Sequence, residues 1–384
     1  MTRKNAKYAP ETIASHAAGY IDETTGAVIA PIHLASTYAR DADYELRDNN
    51  TYGRYGTPTC HQAETVLAAL EGAEQALLFN SGLSAPLAVL ETLPLGAHVI
   101  APETMYYAAL VWMQRQDAKG ILKLSTYRPA DLDSLKAVIT PQTALVWVET
   151  PTNPTWAVTD IAAVAKITKA NDALLMVDST TAPPCTTKPL ELGADYVFHS
   201  ATKYLNGHSD VIAGALCTNA INDRWEDIKS VRILQGTVLP GFPAYLLIRG
   251  IRTLYIRWDK ACANAMKIAP YFAGHPMIEA VQYPGLPDDP GHAIAKKQMT
   301  GGFGGMMSIR VKGDADLAIK VASLTKLFLP ATSLGGVESL IEHRYTVEGP
   351  DFGTAPNLLR LSIGIEDADD LIHDLEQALT RANS

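Results

Sequence analysis

The chain has 384 residues, 47% of them hydrophobic, and a formal net charge of −9, which is enough apolar material for a large domain and a smaller one. Its acidic and basic residues are interspersed without a basic stripe, which argues against nucleic acid as a partner. No window reaches the ~18 apolar residues of a membrane span, the N-terminus lacks the apolar stretch of a secretory leader, and Cys60, Cys185, Cys217 and Cys262 form no C-x-x-C pair, so a soluble cytoplasmic protein with free thiols, no membrane partner and no metal site is expected.

Taken in chain order, the stretch "IHLASTYARDADYELRDNNTYGRYGTPT" is rich in Thr, Tyr and Gly and too aperiodic to form a core, so it is expected to pack on a neighbouring subunit. From about residue 73 to 217, apolar runs alternate with helical patterns. "AEQALLF", "HVIA", "ALVWVE", "ALLMVD", "ADYVFH" and "VIAGALC" read as strands, and "LSAPLAVLETL", "YYAALVWMQRQ" and "DIAAVAKITKAN" as the helices between them. That is the pattern of βα units on a parallel sheet, whose ligands gather at the carboxyl ends of the strands. Past residue 250 one long helix is expected, then the strands "MMSIRV" and "LLRLSIGI", and a last amphipathic helix "ADDLIHDLEQALTRA", together a smaller α+β domain. The expected division is an arm over 1–60, a cofactor-binding domain over 61–250 and a C-terminal domain over 251–384.

Within "HSATKYLNGHSD", Lys203 stands among small hydroxyl residues, glycine and histidine, without the charged neighbours of an ordinary surface lysine. A lysine that is neutral in a shielded pocket is a nucleophile toward aldehydes. Upstream, "MVDSTT" ends a strand with Asp178, and a carboxylate there can keep a ring nitrogen protonated, since each charge favours the other. Lysine and aspartate are the pair that a pyridoxal phosphate site requires. For the phosphate, "NSGLSA" falls at a strand-to-helix turn where the amides of Gly82 and Leu83 face an anion, and Ser200 and Thr202 add hydroxyls from the lysine loop. The same S-G turn could be a simple helix cap. His208 reads as a structural hydrogen-bonding residue, His343 and Arg344 as pocket-mouth or solvated residues, and "GGFGG" as a flexible turn, because it lacks the spacing of a phosphate loop.

"DYVFHSATKYLNGHS" resembles the cofactor-lysine signature of the Cys/Met metabolism enzymes that use pyridoxal phosphate, the group of cystathionine β-lyase, cystathionine γ-synthase, cystathionine γ-lyase and methionine γ-lyase. The resemblance covers nearly the whole chain. It implies an α/β aspartate-aminotransferase-like fold (fold type I), a homotetramer built from two dimers, and Lys203 bound to pyridoxal 5'-phosphate. "TYGRYGTPT" resembles the family's Tyr-x-Arg segment, implying that Tyr52 and Arg54 reach the cofactor phosphate of the other subunit, and "ETPTNP" resembles a further family loop. "SLGGVESL" and "RLSIGIED" are similar to the C-terminal substrate motifs, implying that Ser333 and Arg360 hold the amino-acid carboxylate, which a guanidinium fork suits. Tyr106 falls where the family places the tyrosine that stacks on the pyridine ring.

Two departures bear on the substrate. Many members have Gly-Gly after that tyrosine, whereas this chain has Tyr107 and Ala108, so Tyr107 narrows or polarises the entrance. The cysteine typical of methionine γ-lyases near this tyrosine is missing. "GHAIAKKQMTGGFGG", the "YGRYGT" variant and "GTAPNLLRLSIGIEDADDLIHDLEQAL" look closest to bacterial cystathionine β-lyases, which makes cleavage of cystathionine to homocysteine, pyruvate and ammonia the expected reaction. Leu334 replaces an aromatic found in some of those lyases and leaves γ-synthase or γ-lyase activity open, with a non-catalytic paralogue as the remaining alternative.

Overall fold

A computed structural model describes residues 8–349 and 353–384, so the first residues of the expected arm lie outside the described part. The chain forms two compact units, one running to Pro94 and adding Lys188–Tyr255, the other comprising Leu95–Thr187 and Ile256–Ser384.

In the first unit, helix Pro58–Glu71 starts with proline at its first position and the Thr57 hydroxyl accepting from the Cys60 amide, and it ends at Gly72, whose φ of 68° is the left-handed conformation that glycine adopts freely. Its face of Ala63, Val66, Leu67 and Leu70 is fully buried. Glu64 on this helix meets Arg232 at 2.6 Å and accepts from the Leu78 amide at 3.0 Å, so the buried carboxylate has both a countercharge and a donor. Strand Gly214–Thr218 pairs antiparallel with both Gln75–Phe79 and Tyr196–Ser200. This strand is the antiparallel part of the expected mostly parallel sheet, and the connection explains it. Parallel neighbours need a crossover, usually helical, whereas residues 201–213 form turns without a helix and return the chain antiparallel. The aperiodic N-terminal stretch is fastened locally: the Thr59 hydroxyl donates to Pro31 O at 2.9 Å and accepts from the His33 amide at 2.9 Å.

The second unit holds four parallel strands in the order Leu174–Asp178, Thr143–Glu149, Ala97–Pro102, Leu122–Tyr127. Helices Tyr107–Ala118, Leu132–Val138 and Ile161–Lys169 alternate with them, the last two capped by the side chains of Asp131 and Asp160. A second sheet runs in the order Leu329–Pro330, Leu340–His343, Leu358–Ser362, Met306–Val311, Ile278–Gln282, antiparallel except at its first pair. Helices Ala315–Leu324 and Ala368–Ala382 contribute Val321, Leu371, Leu375 and Leu379 to one core with Ile309, Leu359 and Leu361 of this sheet.

The expected long helix after residue 250 is two helices, Gly241–Ile251 and Leu254–Phe272. The turn at "GGFGG" is anchored rather than flexible: Gly301 O accepts from Trp258 Nε1 at 2.6 Å and Gly304 O from the Tyr283 hydroxyl at 2.9 Å. A Cβ on Gly301 would lie 1.9 Å from Cys185 O, so the backbones touch where only glycine fits. The four cysteines are free, and no helix among the described residues is long and apolar enough to cross a membrane.

Candidate active site

Strand Tyr196–Ser200 delivers the lysine loop. Lys203 is half-buried, its amide donating to Ser200 O at 3.0 Å and its carbonyl accepting from the Gly207 amide at 2.7 Å. Thr202 is pinned to Ala213, its hydroxyl donating to Ala213 O at 3.2 Å and accepting from the Ala213 amide at 3.0 Å. His208 donates from Nδ1 to Asn206 O at 2.8 Å, a structural bond within the loop.

The turn after strand Gln75–Phe79 lies against this loop. A Cβ on Gly82 would fall 2.7 Å from the Cβ and Oγ of Ser200, and one on Gly214 would fall 2.1 Å from Ser81 O. Two of the residues expected around a phosphate, Gly82 and Ser200, are therefore neighbours. The amides of Gly82 and Leu83, at the start of helix Ser84–Glu91, meet no acceptor among the described residues. Bare amides at a helix start, in a turn without a Cβ, have the form that an anion requires. In the same unit Tyr52 and Arg54 are exposed, the guanidinium 5.7 Å from the Tyr52 ring centre.

In the second unit the strand ends converge. Asp178 closes its strand, buried, and accepts from the Thr180 amide at 2.9 Å. In register beside it is Glu149, a residue that composition and motif reading did not single out. Glu149 accepts from the Tyr106 amide at 2.7 Å and the Asn153 amide at 2.9 Å. Burial, with the adjacent charge of Asp178 second, pushes its carboxyl up to about 8. Tyr106 and Tyr107, held at the head of helix Tyr107–Ala118, keep exposed rings.

Arg360 projects from strand Leu358–Ser362 and is buried. Its Nη2 donates to Ser333 O at 2.8 Å and reaches Glu342 at 2.5 Å, while Nη1 is 3.5 Å from Asn153 Oδ1. Its Nε has no hydrogen-bond partner among the described residues. Burial pushes the guanidinium down to about 10. Ser333 has φ 110°, outside the comfortable range of a residue with a Cβ, so the loop is held in a strained form beside Arg360. Burial would raise the Glu342 carboxyl, but Arg360, the Thr332 hydroxyl and Arg344 overcome it and hold it below its usual value. His343 and Arg344 are buried, which excludes the solvated-loop alternative; His343 shares hydrogen bonds of 2.6 Å with Thr346 Oγ1 and Pro356 O. Glu342 and Glu348 carried no recognisable sequence signal, because each matters only through a partner brought up by the fold, whereas Asn153 lies in the quoted "ETPTNP" loop without a role assigned to it there.

Residues 11–380 match the family described as Cys/Met metabolism PLP-dependent enzyme. The chain belongs to this family. It is 43% identical over 376 residues to a cystathionine gamma-synthase of Mycobacterium tuberculosis, covering 96% of each chain. It is 39% identical to a cystathionine beta-lyase of Coxiella burnetii, covering 99% of this chain and 100% of that one. A crystal structure of cystathionine gamma synthase from Xanthomonas oryzae pv. oryzae, in complex with aminoacrylate and cysteine, superposes with a TM-score of 0.94 at 36% identity over 98% of this chain and 99% of that one. The fold is thus the α/β type of pyridoxal-phosphate enzymes, fold type I, and the Cys/Met metabolism enzyme described here depends on pyridoxal phosphate. The Gly82 turn, with bare amides and no Cβ, fits that cofactor's phosphate.

Proposed function

We propose that this enzyme makes or breaks the carbon–sulfur bond of cystathionine. The observation that carries the reading is Arg360, a buried guanidinium with an unpartnered Nε beside a strained serine, in a chain of the Cys/Met metabolism family. A buried donor without an acceptor is costly, and a substrate α-carboxylate supplies the missing acceptor in the fork geometry that arginine favours.

When bound, pyridoxal phosphate supplies an electron sink conjugated to the substrate Cα. Lys203 would hold it through its amine, and the same amine would take the substrate Cα proton. Asp178 would accept from the ring nitrogen and keep it protonated. Tyr106 would cover the ring face. The amides of Gly82 and Leu83 would hold the phosphate with Ser200 and Thr202, completed by Tyr52 and Arg54 from a second copy of the chain. Arg360 and Ser333 would orient the carboxylate, and Tyr107 would narrow the entrance. The functional division is an arm over 1–60, a cofactor domain over 61–250 and a C-terminal domain over 251–384, in a cytoplasmic homotetramer made of two dimers.

Cystathionine γ-synthase activity is supported by the 43% identity to a relative of that name. Cystathionine β-lyase activity is supported by the segments beginning at Gly291 and Gly353, and by a 39% identical relative of that name. Mass-spectrometric product analysis separates them. Net cystathionine from an activated homoserine ester and cysteine indicates the synthase, pyruvate with homocysteine from cystathionine the β-lyase, and 2-oxobutyrate with cysteine the γ-lyase. Inertness in every mixture, with cofactor bound, rejects the proposal.

A further inference from the structure

Among the described residues, four charged side chains, one of them Arg360 itself, form a buried cluster. Glu342 is its pivot: one carboxylate lies 2.5 Å from Arg360 Nη2 and 2.9 Å from Arg344 Nη1. Its other oxygen accepts from the Thr332 hydroxyl at 2.6 Å. Arg344 Nη2 in turn pairs with Glu348, whose second oxygen accepts from the Thr354 hydroxyl at 2.9 Å. The four side chains are only 3–6% exposed, so solvent screens them little. Among the described residues two cations face two anions, so these four side chains balance before any substrate arrives.

We propose that Arg344 and Glu348 are positioning residues that act through Glu342 to set how much positive charge Arg360 offers an α-carboxylate, and so tune the enzyme's preference for amino acids over their uncharged analogues. This rests on the reading of Arg360 as the carboxylate site. The physical reason is that Arg360 and Arg344 share one carboxylate. Without Arg344, Glu342 faces Arg360 alone and Glu348 is left as an unbalanced anion, so the cluster carries a net negative charge that opposes an incoming carboxylate. Without the charge of Glu348, Arg344 is unbalanced and the net charge is positive. In a poorly screened site one unit of charge at such range changes affinity on the order of tenfold. An ion pair that merely holds a loop behaves otherwise, since loss of either partner then weakens binding alike.

The test uses the holoenzyme and two ligands that differ only in the group under study, L-alanine and L-alaninamide, titrated through the change in the cofactor's visible spectrum. The readout is the ratio of the alanine dissociation constant to that of alaninamide, which cancels the shared amine. Arg344→Met is expected to raise the ratio on the order of tenfold and Glu348→Gln to lower it severalfold, with the double variant returning within about threefold of the parent. Equal-sign shifts, or ratios unmoved in both single variants, overturn the inference. Glu348→Gln removes charge without volume and carries the test alone should Arg344→Met not fold: a lowered ratio is expected, and an unchanged or raised one overturns it. Arg360→Gln serves as the reference and should bring the ratio toward parity with a net loss of alanine binding. If Arg360→Gln leaves the ratio unchanged, the carboxylate role of Arg360 fails, and the inference fails with it. If only the Arg344 and Glu348 variants miss their signs, that role stands and the tuning alone is wrong.

Discussion

Burial, with the neighbouring Asp178 charge second, pushes the Glu149 carboxyl from an ordinary 4.5 up to about 8. The folded state therefore binds more protons than the unfolded chain between those values, and this residue's contribution to stability falls as pH rises from about 4.5 to about 8. Denaturant titrations of cofactor-free protein across that range should show a shallower decline in Glu149→Gln than in the parent; parallel declines contradict the assignment. Asp178 is expected to behave oppositely in function: Asp178→Asn should bind cofactor yet lose turnover on the order of 10²-fold or more, since an amide cannot stabilise a protonated ring nitrogen. Near-parental turnover contradicts its role. The contrast explains what was legible at this scale. Lys203 and Ser200 sit in one contiguous signature, and Asp178 at a recognisable strand end. Glu149 acquires its properties from backbone amides donated by Tyr106 and Asn153, and Glu342 from arginines on two elements, which no local pattern records.

At the scale of elements, the turn at Gly82 is an exacting join, because Ser200 lies where any side chain would go. Gly82→Ala must displace either the turn or the lysine loop, and it is expected to weaken cofactor affinity roughly tenfold or more, the worth of one charge-assisted hydrogen bond, while the far-ultraviolet circular dichroism stays unchanged. Unaltered affinity would remove the turn from the phosphate site. Elements with strong periodicity were readable in advance: helix Ala368–Ala382 spans the residues of its amphipathic pattern, starting after the Asp367 cap. Strand Leu122–Tyr127 was not, since at the sheet edge only its first and last residues are buried and no apolar run forms. The antiparallel direction of Gly214–Thr218 was hidden for a related reason, because a buried apolar strand reads alike in either direction and only the helix-free connection decides it.

At the scale of the whole molecule, Tyr52 and Arg54, exposed on their own chain, are expected to complete the phosphate site of another. Arg54→Ala and Lys203→Ala are each expected to be inactive, and mixing them under conditions that exchange subunits should restore activity, because some mixed dimers combine an intact Lys203 with an intact Arg54. Confirmed exchange without recovery contradicts a shared site. Beneath all of these roles lies the single claim that Lys203 carries the cofactor. Borohydride reduction of the holoenzyme followed by peptide mass spectrometry tests it directly: a phosphopyridoxyl group is expected on the peptide containing Lys203 and is expected to be absent from Lys203→Ala, whereas a label on any other lysine, or none on a yellow parent protein, would contradict it.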